Sequence, residues 1–73
     1  MFDILFEYFD GTNYICKDVK KIVIPTQSGK VSIQGDEILQ YQFRIHSEIY
    51  LYSDSRCYTV SCSNLKALEV LKK

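Results

Sequence analysis

The sequence predicts a mainly β protein: one small domain over 1–73, with about six short, largely antiparallel strands in two related halves, packed as a small antiparallel sheet or open barrel. Three observations carry this. Apolar and polar residues alternate with period two over Phe2–Phe9 and Leu39–His46, the period of strands with one buried face. Turn-forming clusters at 10–13 and 53–56 stand between apolar-aromatic runs, which reads as hairpins. Finally, Tyr8-Phe9-Asp10-Gly11-Thr12-Asn13-Tyr14, followed by Asp18 to Ile24, echoes Tyr52-Ser53-Asp54-Ser55-Arg56-Cys57-Tyr58, followed by Asn64 to Val70, at an offset of about 44 residues that grows to about 46. The copies span about 4–24 and 48–70. Two copies make a pair rather than a solenoid array.

The first strand places Phe2, Ile4, Phe6 and Tyr8 on one face. Asp10-Gly11-Thr12-Asn13 tolerates left-handed backbone and turns the chain into a second strand at about 14–17. Asp18 is suited to capping a single helical turn through Lys20. The β-branched run Ile22-Val23-Ile24 then predicts a strand over 21–24 that stops at Pro25, which has no N–H to donate. After the loop Thr26–Lys30, Val31–Gln34 alternates again until Gly35-Asp36 breaks it.

The clearest alternation follows, with Leu39, Tyr41, Phe43 and Ile45 on one face and Gln40, Gln42, Arg44 and His46 on the other. It predicts a strand with one core face and one wet face. A bend at Ser47-Glu48 precedes a strand at 49–52, the polar turn Ser53–Arg56 and a strand at 57–61. At the C-terminus two rules conflict. Leu65, Leu68 and Leu71 fall at helical spacing behind Ser63 or Asn64 as a cap, whereas the repeat maps Leu68-Glu69-Val70 onto Ile22-Val23-Ile24. We expect a helical turn over 63–67 and then a strand, with a short C-terminal helix as the alternative.

Composition bounds the function. The 73 residues include nine basic and nine acidic side chains and a 47% apolar share. That is enough for one core, and the balanced charge gives no field to draw in a polyanion. No apolar stretch reaches membrane-spanning length, and Asp3 and Glu7 stand where a signal peptide would be basic and then apolar. The expectation is a cytoplasmic protein that does not enter the membrane. Cys16, Cys57 and Cys62 read as reduced thiols, and neither they nor His46 show metal-ligand spacing.

No nucleophile–base pair or pair of opposed carboxylates marks an enzyme. Gly11, Gly29 and Gly35 form no phosphate loop, and no cofactor is implied. Asp10, Asp36 and Asp54 are explained as turn residues. Six tyrosines suit both cross-strand packing and interfaces. The candidate binding surface is the stripe Gln40, Gln42, Arg44 and His46, which carries no carboxylate to repel a polar or anionic partner; its plain alternative is a solvated sheet face.

These features predict a non-enzymatic protein-interaction or assembly module whose partner is another protein chain, itself included, paired at an open sheet edge. The alternative is a single-stranded nucleic-acid binder of the small-barrel kind. There, aromatics would stack on bases, and Lys20, Lys21 and Arg44 would meet phosphates. Balanced charge disfavours it, and Asp18 interrupts the small basic cluster Lys17, Lys20 and Lys21.

Overall fold

The computed structural model describes residues 1–44 and 47–73. The described residues form seven strands and one short helix: β1 (Phe2–Tyr8), β2 (Asn13–Val19), β3 (Lys21–Thr26), β4 (Gly29–Gln34), α1 (Glu37–Gln40), β5 (Glu48–Tyr52), β6 (Cys57–Ser61) and β7 (Leu65–Lys72). They make two antiparallel sheets, one ordered β2-β1-β7 and the other β4-β3-β5-β6.

Turn chemistry shapes both hairpins. In the first, the Tyr8 N–H donates to the Thr12 carbonyl at 2.9 Å and the Gly11 N–H to the Tyr8 carbonyl at 3.0 Å. Gly11 takes φ 91°, where a side chain would be strained. The Asp10 Oδ1 accepts from the Thr12 N–H at 2.9 Å and from its hydroxyl at 2.6 Å. The second hairpin closes with the Ser53 N–H on the Arg56 carbonyl at 2.8 Å, so its loop is one residue shorter.

Each hairpin is completed by a strand from elsewhere in the chain. β1 lies between β2 and β7, while β5 lies between β6 and β3. Phe6 therefore sits between Tyr14 and Leu68, and Leu51 between Tyr58 and Ile22. Asp18 and Asn64, the described non-glycine residues with positive φ (58° and 67°), stand where the chain leaves β2 for β3 and β6 for β7. Short polar side chains tolerate that conformation best.

The inner faces of both sheets share one core. Phe2, Ile4, Phe6, Cys16 and Val19 come from the three-stranded sheet, and Ile22, Ile24, Ile33, Ile49, Leu51 and Val60 from the other; Ile38 and Cys62 complete it. No polar or charged side chain is buried among the described residues.

The structure departs from the sequence reading in four places. First, Lys20 is not the end of a helical turn. β2 continues to Val19 with Asp18 as a bulge, because Phe2 pairs with Val19 whereas Ile4 pairs with Cys16. Second, Pro25 does not end β3. It pairs with Lys30 of β4, while pairing with β5 stops at Val23–Tyr50. In the hairpin phase set by Thr26–Gly29 the proline nitrogen faces the β5 side, so the missing donor ends that ladder and leaves the strand intact.

Third, the strand expected over 39–46 is not formed by its described residues. Gly35-Asp36 starts a single helical turn, with the Ile38 N–H on the Gly35 carbonyl and the Tyr41 N–H on the Glu37 carbonyl. The turn buries Ile38 completely and leaves Leu39 46% exposed. At Tyr41 the backbone turns extended and the helical turn ends. Tyr41 and Phe43 pack on the core as an edge-on ring pair with centroids 5.1 Å apart, while Gln42 and Arg44 are exposed. The alternation holds over 41–44, but no ladder forms among the described residues of this segment.

Fourth, the C-terminal piece is strand from Leu65 onward, with neither a helix nor a helical turn over 63–67. A register shift opposite Glu7–Tyr8 places Ala67 across from Glu7 and Leu65 across from Tyr8. That bulge brings Leu65 and Leu68 to one side at a spacing of three, which imitates a helix.

Candidate functional site

The predicted stripe does not assemble as a strand face. Gln40 ends α1, Gln42 and Arg44 lie in the connecting segment after it, and all three are exposed; His46 lies outside the described residues. Lys17, Lys20 and Lys21 lie on β2, between strands and on β3 respectively. Two are already engaged: the Lys20 Nζ is 2.7 Å from the Asp54 carboxylate, and the Lys21 Nζ stands 4.8 Å from the centroid of the Tyr52 ring.

A different surface stands out on the three-stranded sheet. Its outer face carries Asp3, Leu5 and Glu7 of β1, Asn13 and Ile15 of β2, and Ala67, Glu69 and Leu71 of β7, as the cross-strand pairs require. Leu5 is half-buried, while Ile15 and Leu71 are 43% and 44% exposed. A shallow concavity of about 260 Å³ runs over Leu5, Glu7, Asn13, Ile15, Ala67 and Glu69 and reaches Phe6 and Tyr14. Its floor is apolar and its rim carries two carboxylates. Glu7 is 3.4 Å from Lys66, an exposed pair of little energetic weight.

This face runs out to an open edge. Because Tyr8 and Thr12 are hydrogen-bonded, Phe6–Tyr14 and Ile4–Cys16 are also hydrogen-bonded pairs. Asn13 and Ile15 then direct their N–H and C=O groups away from β1. Asn13, Tyr14 and Ile15 are all exposed. At Lys17 one side of the outward carbonyl takes the Tyr58 hydroxyl at 3.4 Å, and the edge ends in the bulge beyond it, where the Asp18 N–H donates to the Asp3 carboxylate at 3.1 Å.

Of the other edges, β7 and β4 are flanked by neighbouring segments, whereas β6 directs the backbone groups of Cys57 and Thr59 outward as β2 does, with small side chains around them. On β6 the Ser61 carbonyl accepts the Tyr8 hydroxyl at 2.6 Å, and the exposed side chains are the small Cys57, Thr59 and Ser61. β7 is flanked by Tyr41, Phe43 and Arg44, and β4 by α1.

The outer face of the four-stranded sheet holds Lys21 and Val23 beside Tyr52 and Tyr50. The Tyr50 hydroxyl donates to the Glu48 carboxylate at 2.9 Å, and that bond raises the Tyr50 pKa.

Burial pushes the Cys16 thiol up to about 12 and the Cys62 thiol to about 11, whereas Cys57 is exposed. Neither buried thiol is a nucleophile at neutral pH. Among the described residues no three His, Cys, Asp or Glu side chains converge on a metal position, and no helix is long and apolar enough to cross a membrane.

Sequence reasoning missed the β2 surface. A signal was present in Tyr14-Ile15, neighbouring apolar residues that a strand sends to opposite faces, so that one of them must leave the core of a two-layer protein. Compared with known proteins, the chain matches no family model, no curated protein and no solved structure.

Proposed function

We propose that this chain is a non-enzymatic protein-interaction module that takes up an extended segment of another chain along the edge of β2. The observation that carries the reading is the coincidence of two features in one strand. Asn13 and Ile15 direct unpaired backbone groups outward, and the exposed Tyr14 and Ile15 lie on either side of them. Natural edges are commonly blunted by charge, proline or a bulge. Here the Asn13–Cys16 stretch has none of these, and the bulge comes only at Asp18. An added strand would gain ladder hydrogen bonds, and the adjoining apolar floor would read its alternate side chains.

The internal repeat belongs to the same reading. Two related strand–turn–strand–strand halves, each giving its third strand to the other's hairpin, account for the places of β3 and β7 and for the left-handed residues at Asp18 and Asn64. Tyr14 then matches Tyr58 and Ile22 matches Leu68, but Phe6 matches Leu51 rather than Tyr50. Such halves bury little apart and one core together.

Selection of short extended peptides from a random library, with binding mapped by backbone amide shifts, tests the reading. Selected peptides are expected to shift Asn13 and Ile15 most, and peptides that shift other surfaces only would contradict it. A second reading, single-stranded nucleic-acid binding, is favoured by one observation, the Lys21 ammonium over the Tyr52 ring beside Tyr50. Tyrosine quenching by oligothymidylate that disappears with added salt would support it over edge pairing.

A further inference from the structure

We infer that the occupant of the β2 edge is a second copy of this chain, paired antiparallel about a two-fold axis through Ile15. The inference rests on the edge-pairing reading and adds the partner and the register.

The phase of the ladder limits the choices. Only outward-directed residues can exchange hydrogen bonds across a new strand pair, and on β2 these are Asn13 and Ile15, with the outward carbonyl of Lys17. A closed dimer is isologous, so its axis passes through the strand pair itself. With the axis at Ile15, the Ile15 N–H of each copy donates to the Ile15 carbonyl of the other. The Asn13 N–H then reaches the Lys17 carbonyl of the second copy, which keeps a lone pair beside its bond from Tyr58. The flat part of the edge, Asn13–Lys17, is centred on Ile15, and the Asp18 bulge ends it. An axis at Tyr14 or Cys16 would oppose residues whose backbone groups already face β1.

Side chains fit the same register. On the outer face the two Ile15 side chains meet at the axis with a Leu5 behind each, joining the two apolar floors into one. Tyr14 faces Cys16 of the second copy on the other side. Lys17 falls opposite Asn13, in the same cross-sheet row as Glu7, so each dimer places a lysine from one copy within reach of a rim carboxylate on the other, twice over. No like charges are opposed along the pair. The chain's zero net charge leaves no long-range repulsion between copies.

Sedimentation equilibrium from micromolar to millimolar concentration, together with thiol cross-linking, tests this. The wild type is expected to approach twice the monomer mass and stop. Ile15→Lys, at an exposed position, is expected to keep its far-UV circular dichroism and weaken the dimer by roughly tenfold or more. In a Cys57→Ser background, Ile15→Cys is expected to oxidise to a covalent dimer, since a hydrogen-bonded antiparallel pair holds its Cα atoms about 5.5 Å apart, within disulfide range. Asn13→Cys is expected not to, since equal residues there lie roughly 13 Å apart along the strand. Combining Asn13→Cys with Lys17→Cys is expected to restore cross-linking.

A strict monomer, growth past the dimer, an Ile15→Lys protein that dimerises unchanged, or cross-linking that favours Asn13→Cys would each overturn the inference. The selected peptides separate the levels. Peptides that shift Asn13 and Ile15 in a monomeric protein leave the edge-pairing reading standing without self-pairing, and the absence of both effects removes the two together.

Discussion

Replacing Phe6 with alanine probes the packing on which every surface described above depends. Phe6 is fully buried at the middle of β1, flanked by Tyr14 and Leu68. Removing a buried phenylalanine side chain costs about 3–5 kcal/mol, the lost transfer energy plus the cavity left behind. A domain of 73 residues, at roughly 0.05–0.15 kcal/mol per residue, holds about 4–11 kcal/mol in all. Phe6→Ala should therefore remove about a quarter or more of the stability and lower Tm by about 12 °C or more. Leu51→Ala, the fully buried site at the centre of the other sheet, should cost about 2–5 kcal/mol. Urea unfolding followed by circular dichroism and by tyrosine emission is the assay. Both variants are expected to show one coincident transition at lower denaturant, since one core joins the sheets. A loss below about 1 kcal/mol for Phe6→Ala, or two separated transitions, would refute the single shared core.

Other consequences follow from particular contacts. The Lys73 ammonium donates to the Asp18 carboxylate at 2.6 Å and holds its pKa below the ordinary value. The resulting stability is present above the unfolded carboxylate pKa, near 4, and is lost as pH falls through the lower folded value. Asp18→Asn keeps a side chain suited to the bulge and should narrow the stability difference between neutral and strongly acidic pH, read from urea midpoints. A thiol reagent should modify Cys57 at once, and Cys16 and Cys62 only on the timescale of unfolding, because burial raises those thiols to about 12 and about 11; fast labelling of all three would contradict the core. Asn64, at φ 67°, should tolerate glycine, whereas Asn64→Val should cost about 1–2 kcal/mol by denaturant unfolding because a β-branched residue fits the left-handed region poorly.

Local rules were enough wherever a strand and its turn were decided by neighbours in sequence. The period-two pattern of β1, the Asp10-Gly11 turn and β6 were legible for that reason. The segment after Gly35 was not. Its Leu39-Tyr41-Phe43 alternation is continuous, and nothing local reveals that the core has a place for Ile38 at the cost of exposing Leu39. Leu65 and Leu68 misled in the opposite direction, since a bulge against β1 gave a strand the spacing of a helix. The β2 surface was harder still to foresee. Whether Ile15 is core or edge depends on strand order, and β7 joins β1 through pairs such as Leu5–Glu69, 64 residues apart in sequence, only because the whole chain closes on itself.

Hydrogen exchange at single amides of β2, followed as protein concentration rises, tests the open edge most directly. Tyr14 and Cys16, bonded to β1, should be protected at every concentration. Asn13 and Ile15 should exchange rapidly when the protein is dilute and slow progressively as copies pair. Protection of Ile15 already present in the dilute monomer, or exchange there that stays fast at every concentration, would contradict the account.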